Sequence, residues 1–138
     1  MKANELMIGD WVFCTYPSIN KPVRVAEIKT VGDNKLKIVI YDDDIRLVFN
    51  ETYIDPIPIT PEILEKNGFD ISDPEVKQYH FEEDGQRYHF TLRQIYNQKD
   101  GKPNGYSFFA FNVLTIIDYV HQLQHSLKLV GIDKEIEL

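Results

Sequence analysis

The sequence predicts a β-rich α+β fold, and three observations carry that prediction. Short apolar segments separated by tight-turn residues fill residues 1–59, as in a chain of short strands. Residues 79–90 are nearly palindromic and predict a β-hairpin. Apolar residues spaced three and four apart near the C-terminus predict an amphipathic helix. We therefore expect a small β-barrel lobe at residues 1–59, followed at residues 60–138 by a short helix, an antiparallel meander and a C-terminal helix.

The first lobe contains four or five predicted strands. Residues 11–14 form a short apolar run after a Gly9-Asp10 turn, and residues 23–31 form one strand candidate. A turn at Gly32-Asp33-Asn34 leads into residues 36–41, where alternate side chains are apolar. Short strands joined by tight turns are typical of a small closed or half-closed barrel.

The barrel is completed by two further segments. After the Asp42-Asp43-Asp44 turn, we expect Ile45, Leu47 and Phe49 to alternate inward, and residues 53–56 to form an edge interrupted by proline. The strand order and the opening Gly9-Asp10-Trp11-Val12 resemble the SH3-like barrel. This resemblance implies the barrel architecture and assigns no ligand.

A complete short helix separates the two lobes. Thr60 is suited to the N-cap, Pro61 to the first helical position and Gly68 to the left-handed residue that ends the helix. Because each lobe alone is near the lower size limit for a stable core, we expect the two lobes to pack together.

The palindromic segment predicts its own strand pairing. Asp84-Gly85 is suited to a two-residue turn, in which both residues have positive φ. The expected pairs are Tyr79 with Phe90 and Phe81 with Tyr88 on a core face, and His80 with His89 and Glu82 with Arg87 on the other face.

Further turns are expected at Asp100-Gly101 and Asn104-Gly105, before a strand at residues 106–114. The C-terminal helix should place Asp118 in its first turn and end at Gly131, with residues 133–138 exposed or forming an edge strand. Its apolar stripe is Ile116, Val120, Leu123, Leu127 and Val130.

Composition excludes several classes of protein. The chain has 138 residues, 43% of them hydrophobic, so a packed core is available. Its formal charge is −7 and both halves are acidic, which makes nucleic acid a poor first choice of partner. Cys14 is the one cysteine, so no internal disulfide or cysteine-based zinc site can form. With no signal-peptide layout and no long apolar run, we expect a cytosolic protein without membrane attachment.

The four histidines are the sharpest candidates for chemistry. His121 and His125 are one helical turn apart, and with His80 and His89 they have the ligand types of a zinc site. A helical wheel places the helix pair away from the apolar stripe, so both pairs should lie in solvent on opposite surfaces. The acidic turn at residues 42–44 lacks the spacing of a calcium loop. Because no nucleophile or phosphate-binding motif is present either, we expect no enzyme activity, no metal and no cofactor.

The candidate binding surface is aromatic. If Val12 and Cys14 face the core, Trp11 and Phe13 point outward from the same strand. Such a face can dock on the second lobe, bind a partner protein or, as a further variant, enclose a methylated cation. The predicted partner-binding residues are Trp11, Phe13, Tyr16, Tyr41 and Tyr53.

Three function hypotheses follow. The first is a non-catalytic protein–protein interaction module, with a homodimer through an edge strand as an open alternative. The second is nucleic-acid association through the barrel, and the third is a metal-dependent enzyme that uses the histidine pairs. The second requires one basic patch formed by Lys21, Arg24, Lys29, Lys35 and Lys37.

Three stretches also resemble a family of small uncharacterised proteins carried by gut bacteria and their prophages or mobile elements. The resemblance implies a stand-alone cytosolic protein associated with phage, and it implies no activity, ligand or catalytic residue. The stretches are Glu5-Leu-Met-Ile-Gly-Asp-Trp-Val12, Pro56-Ile-Pro-Ile-Thr-Pro-Glu-Ile-Leu-Glu-Lys-Asn-Gly-Phe69 and Tyr119-Val-His-Gln-Leu-Gln-His-Ser-Leu-Lys-Leu-Val-Gly-Ile132.

Overall fold

The structure, a computed structural model, describes residues 1–32, 35–110 and 113–138. Within these residues the fold is β-rich α+β, with three antiparallel sheets and two α-helices, which confirms the predicted class. The chain forms two compact units, Met1–Ile57 and Pro58–Leu138. Neither described helix has the length and apolar character needed to cross a membrane.

The described part of the first unit contains two three-stranded sheets, ordered β2-β1-β6 and β3-β4-β5. Short 3-10 helices occur at Ala3–Glu5 and Glu51–Tyr53. The strands are β1 (Trp11–Cys14), β2 (Lys21–Arg24), β3 (Glu27–Val31), β4 (Lys35–Asp42), β5 (Ile45–Asn50) and β6 (Ile54–Asp55).

The single strand predicted at residues 23–31 is wrong, because the chain changes sheets at Val25. The Val25 N–H donates to the Asp10 carbonyl at 2.9 Å, and the Val25 carbonyl accepts from the Gly9 N–H at 2.7 Å. The next N–H, of Ala26, instead donates to the Val39 carbonyl at 2.8 Å. Hydrogen bonding to two different sheets therefore divides the segment into β2 and β3.

Both sheets contribute to one apolar core. Val12 and Cys14 point into it from β1, as predicted, and Ile38 and Ile40 do so from β4. The strands remain in two separate hydrogen-bonded sheets, so a closed barrel is not observed among the described residues. The turn predicted at residues 32–34 includes Asp33 and Asn34, which lie outside those residues.

The β4–β5 hairpin turns at Asp43 and Asp44, whose φ values are 45° and 67°. Phe49 is buried opposite Ile38, as the alternation predicts. The inward placement of Ile45 is wrong, since 62% of this residue is exposed. Ile45 pairs with the last residue of β4 beside the turn, where the hairpin extends past the core.

The second unit has one four-stranded sheet in its described part, ordered β10-β9-β8-β7. Its elements are α1 (Pro61–Lys66), β7 (Val76–Glu83), β8 (Gln86–Tyr96), β9 (Pro103–Ala110), β10 (Val113–Ile117) and α2 (Val120–Leu129).

The predicted ends of α1 and the predicted hairpin are both confirmed. Thr60 Oγ1 accepts from the Ile63 N–H at 3.3 Å, and Gly68 has φ +82°. Asp84 and Gly85 also have positive φ, and every predicted cross-strand pair from residue 79 to residue 90 is present. The aromatic face is buried at Phe90 and exposed at Tyr88, because the hairpin tip extends beyond the core.

The meander and the start of α2 differ from prediction. Gly105 lies within β9 and is not a turn between strands. Of the predicted strand at residues 106–114, Phe111 and Asn112 lie outside the described residues, and Val113 already belongs to β10.

Ile116 likewise belongs to β10, where it pairs with Ser107, and not to α2. Asp118 precedes the helix, because Gln122 Oε1 accepts from the N–H groups of Asp118 and Tyr119 at 2.8 and 3.2 Å. This side-chain cap makes Val120 the first helical residue.

Candidate functional site: an aromatic cleft in the first unit

Three aromatic rings of the first unit pack against one another. The ring centroids of Tyr16 and Phe49 are 5.2 Å apart, as are those of Tyr16 and Tyr53. Phe49 and Tyr53 complete the triangle at 6.2 Å. We call these three residues the aromatic cleft. All three distances are in the range of favourable aromatic contacts.

Two loops place the tyrosines side by side. Tyr16 follows β1, and its carbonyl accepts from the N–H groups of Ile19 and Asn20 at 2.8 and 2.9 Å, which closes a tight turn. Tyr53 ends a 3-10 helix, and its carbonyl accepts from the Thr15 N–H at 2.9 Å. This last hydrogen bond joins segments almost 40 residues apart in sequence and brings Tyr16 next to Tyr53.

The three rings differ in exposure and therefore occupy different positions in the cleft. Phe49 is 8% exposed and forms the floor, whereas Tyr16 and Tyr53 are 39% and 38% exposed and form the walls. They line a depression of about 310 Å³, at the small end of the range for ligand pockets. Lys37, which donates to Asn50 Oδ1, and Ser18 give the cleft a polar rim.

The ring geometry limits what the cleft can bind. The Tyr16 and Tyr53 planes meet at 81°, so the edge of one ring covers the face of the other. A methylated cation needs open ring faces around it, and these two faces are not separated enough to hold one between them. The surface instead suits apolar or prolyl side chains of a partner chain, with the phenol hydroxyls and the rim supplying hydrogen bonds.

Two of the five predicted partner-binding residues belong to the cleft, and three lie elsewhere. Trp11 and Phe13 are half-buried on β1. The guanidinium of Arg24, directly opposite in the sheet, lies 4.7 Å from the Trp11 ring centroid and covers one ring face. Tyr41 is 52% exposed on β4, opposite Arg46. The cleft is therefore centred on Tyr16 and Tyr53 instead of Trp11.

Sequence reasoning missed Phe49 as a member of the aromatic cleft. The alternation in β5 correctly placed its side chain inward, which assigned it to the core. β5 ends at Asn50, and a 3-10 helix begins at Glu51. An aromatic residue this close to the end of a strand can contact the core on one side and the cleft on the other.

Lys21 and Lys29, two of the five predicted basic residues, are paired with carboxylates. Lys21 is ion-paired with Asp42, and this hydrogen bond raises the pKa of Lys21. Lys29 Nζ lies 3.1 Å from Glu27 Oε2. The pKa of Glu27 is lowered by its hydrogen bond to Arg46 and then by that to Lys29. These carboxylates reduce the positive field that a nucleic-acid backbone requires.

The histidines remain two separate pairs. His80 and His89 are exposed with ring centroids 5.7 Å apart, and His121 and His125 are 5.8 Å apart on α2. The expectation that the helix pair lies in solvent is wrong. His121 is 3% exposed and its ring stacks on Tyr119 at 5.9 Å, and His125 is half-buried. Within the described ranges, no three histidine, cysteine, aspartate or glutamate side chains come together as a metal site.

Two other depressions are larger but have different chemistry. One of about 590 Å³ in the first unit is lined mainly by polar side chains such as Lys2, Asn4 and Glu51. One of about 490 Å³ in the second unit lies between prolines and Gly105. The aromatic cleft differs from both because three rings converge in it.

Comparison of the chain with protein-family models, with curated proteins and with solved structures found no match in any of the three.

Proposed function

We propose that the chain is a non-catalytic protein-interaction module whose first unit is an SH3-like barrel and binds a partner protein in the aromatic cleft. The observation that carries the proposal is the convergence of Tyr16 and Tyr53 on a buried Phe49. Partly exposed tyrosines over a fixed apolar floor are typical of binding hot spots, because they lose little side-chain entropy on binding.

The remaining features of the proposal come from sequence. The resemblance to proteins of gut bacteria and their mobile elements supports an association with phage and a role in the cytoplasm. Because the sequence contains no nucleophile or phosphate-binding motif, the proposed role is recognition. Nucleic-acid association remains the second hypothesis, and the pairing of Lys21 with Asp42 and of Lys29 with Glu27 ranks it below protein binding.

Selection from a displayed random-peptide library tests this function directly. The enriched peptides are synthesised, and their affinities are measured by calorimetry for the wild type, Tyr16→Ala and Tyr53→Ala. A hot-spot tyrosine contributes about 2 kcal/mol or more to binding, so each variant should lose roughly 30-fold in affinity.

Tyr41→Ala is the matched control, because Tyr41 is exposed in the same unit outside the cleft. Its affinity should stay within about twofold of wild type, a difference well below 1 kcal/mol. Equal losses in all three variants would contradict binding in the cleft. Failure to enrich any peptide, together with turnover in a broad substrate screen, would reverse the proposal.

A further inference from the structure

An apolar patch lies at one edge of the sheet in the second unit. Phe109, Leu114 and Ile116 are 65%, 67% and 56% exposed. Leu114 pairs with Phe109, and Ile116 pairs with Ser107, so the three apolar side chains project from the same face of the sheet. We call these three residues the apolar edge. Large aliphatic and aromatic side chains grouped in this way at a sheet edge indicate an interaction site.

The strand that carries two of them is an edge strand. β10 is hydrogen-bonded to β9 on one side. No described strand pairs with the other side of β10. The nearest backbone hydrogen bond there follows the last residue of the strand, where the Asp118 carbonyl accepts from the Ile59 N–H at 3.0 Å. The five residues of β10 are Val-Leu-Thr-Ile-Ile and include no charge and no proline, the features with which proteins usually protect an edge.

The opposite edge of the same sheet is protected. Asp70 lies along the outer edge of β7 and exchanges two backbone hydrogen bonds, of 2.7 and 3.2 Å, with Gln78 of that strand. The strand itself carries Lys77, Glu82 and Glu83. Charges and covering segments of this kind prevent edge-to-edge association. The contrast marks β10 as the edge left open for pairing.

We propose that a second copy of this chain occupies the β10 edge, so that two sheets join as antiparallel neighbours. A two-fold axis at Thr115 sets Leu114 opposite the partner's Ile116, and Ile116 opposite the partner's Leu114. The strand is thus complementary to itself, as a symmetric interface requires. Because each copy carries a net charge of −7, an uncharged edge is where two copies approach with least repulsion.

This interface is independent of the proposed binding function. It lies in the second unit and uses none of the aromatic cleft. Loss of the dimer would leave peptide binding by the first unit untouched, and loss of peptide binding would leave the dimer untouched.

The first test is the solution mass of the full chain, measured by sedimentation from about 1 μM to about 1 mM, the range of weak to moderate association constants. The wild type should form a dimer within this range, and Leu114→Lys should be monomeric throughout. Leu129→Lys is the matched control, because Leu129 is 63% exposed on α2, and it should dimerise like the wild type. Circular dichroism confirms that each variant is folded. A monomeric wild type, or a dimer that survives Leu114→Lys, overturns the proposal.

The second test distinguishes edge pairing from any other dimer. Cys14 is buried, so Thr115→Cys adds an accessible thiol. Directly opposed residues of an antiparallel pair have Cα atoms about 4.5–5.5 Å apart, within reach of a disulfide. Mild oxidation should therefore convert Thr115→Cys to a covalent dimer at least about tenfold faster than the control variant Ser72→Cys. Ser72 is exposed and lies just before β7, at the protected edge of the sheet. Equal rates overturn the two-fold pairing at Thr115.

Discussion

Asn67 and Glu137 are joined by two hydrogen bonds that fasten the C-terminal tail to the end of α1. Asn67 Nδ2 donates to the Glu137 carbonyl at 2.7 Å, and the Glu137 N–H donates to Asn67 Oδ1 at 2.8 Å. The same amide also donates to the Ile63 carbonyl at 2.8 Å. The expected exposure of the tail holds at Asp133, Glu135 and Glu137 and is wrong at Ile136, which is fully buried beside this contact. The tail, described throughout, forms no strand.

Removing this amide should destabilise the second unit. Asn67 is 3% exposed, and Asn67→Ala removes the partner of the Glu137 N–H and carbonyl, whose hydrogen bonds to the amide are partly buried. We expect the free energy of unfolding to fall by about 2 kcal/mol, measured by urea denaturation. Asn104→Ala, at an exposed position in the same unit, should change it by less than about 0.5 kcal/mol. Equal stability of the two variants would mean that the tail contributes nothing.

The features predicted correctly from sequence are those decided by neighbouring residues. The Thr60 cap and the Gly68 stop of α1 depend on residues within one or two helical turns. The Asp84-Gly85 turn fixes the register of its own hairpin, because a two-residue loop allows little choice of pairing. These elements need no information about the rest of the chain.

The features that sequence did not predict depend on distant partners. The break between β2 and β3 depends on Val25, whose backbone bonds Gly9 and Asp10, and on Ala26, whose N–H instead donates to the Val39 carbonyl of β4. Ile116 joins β10 because it pairs with Ser107 of β9. In the cleft, Tyr16 and Tyr53 were predicted on the grounds of residue type alone. Their contact with Phe49, and the engagement of Trp11 by Arg24, depend on pairings that periodicity does not encode.

Gly105 should be the least replaceable glycine of the sheet. Its φ is +71°, and a Cβ there would overlap the carboxylate of Asp118. Gly101 has a similar φ of +68° but faces open space, so substitution of Gly101 by alanine measures the cost of the left-handed backbone conformation alone. We expect Gly101→Ala to cost about 1 kcal/mol and Gly105→Ala about 1 kcal/mol more, both measured by thermal or urea unfolding. Equal costs would show that Asp118 moves aside freely.

Phe90 should dominate the stability of the hairpin. It is 3% exposed and stacks on Phe108 with ring centroids 4.4 Å apart. Phe90→Ala should reduce the free energy of unfolding by about 3–5 kcal/mol, because it removes a buried ring and leaves a cavity. Tyr88→Ala, two residues away on the same face but 42% exposed, should cost less than about 1 kcal/mol. A comparable loss at both positions would contradict a core that ends before the hairpin tip.

Glu27 should make the free energy of unfolding of the first unit depend on pH. Its carboxylate contacts Arg46 Nε at 3.3 Å and Lys29 Nζ at 3.1 Å, and the hydrogen bond to Arg46 is the main cause of its lowered pKa. Between the ordinary pKa of a glutamate and this lower value, the unfolded chain binds the proton and the folded chain does not. Stability from the ion pair is therefore present above the unfolded pKa and is lost as the pH falls through the folded pKa.

Arg46→Gln should raise the pKa of Glu27 toward its ordinary value, as measured by carboxyl carbon NMR titration. Lys29→Gln should raise the same pKa less, because Lys29 is the smaller cause of the shift. Added salt should shrink the difference between wild type and Arg46→Gln, since the pair lies at the surface. If the Glu27 titration is the same in wild type and Arg46→Gln at low salt, the contact between these two side chains does not hold in solution.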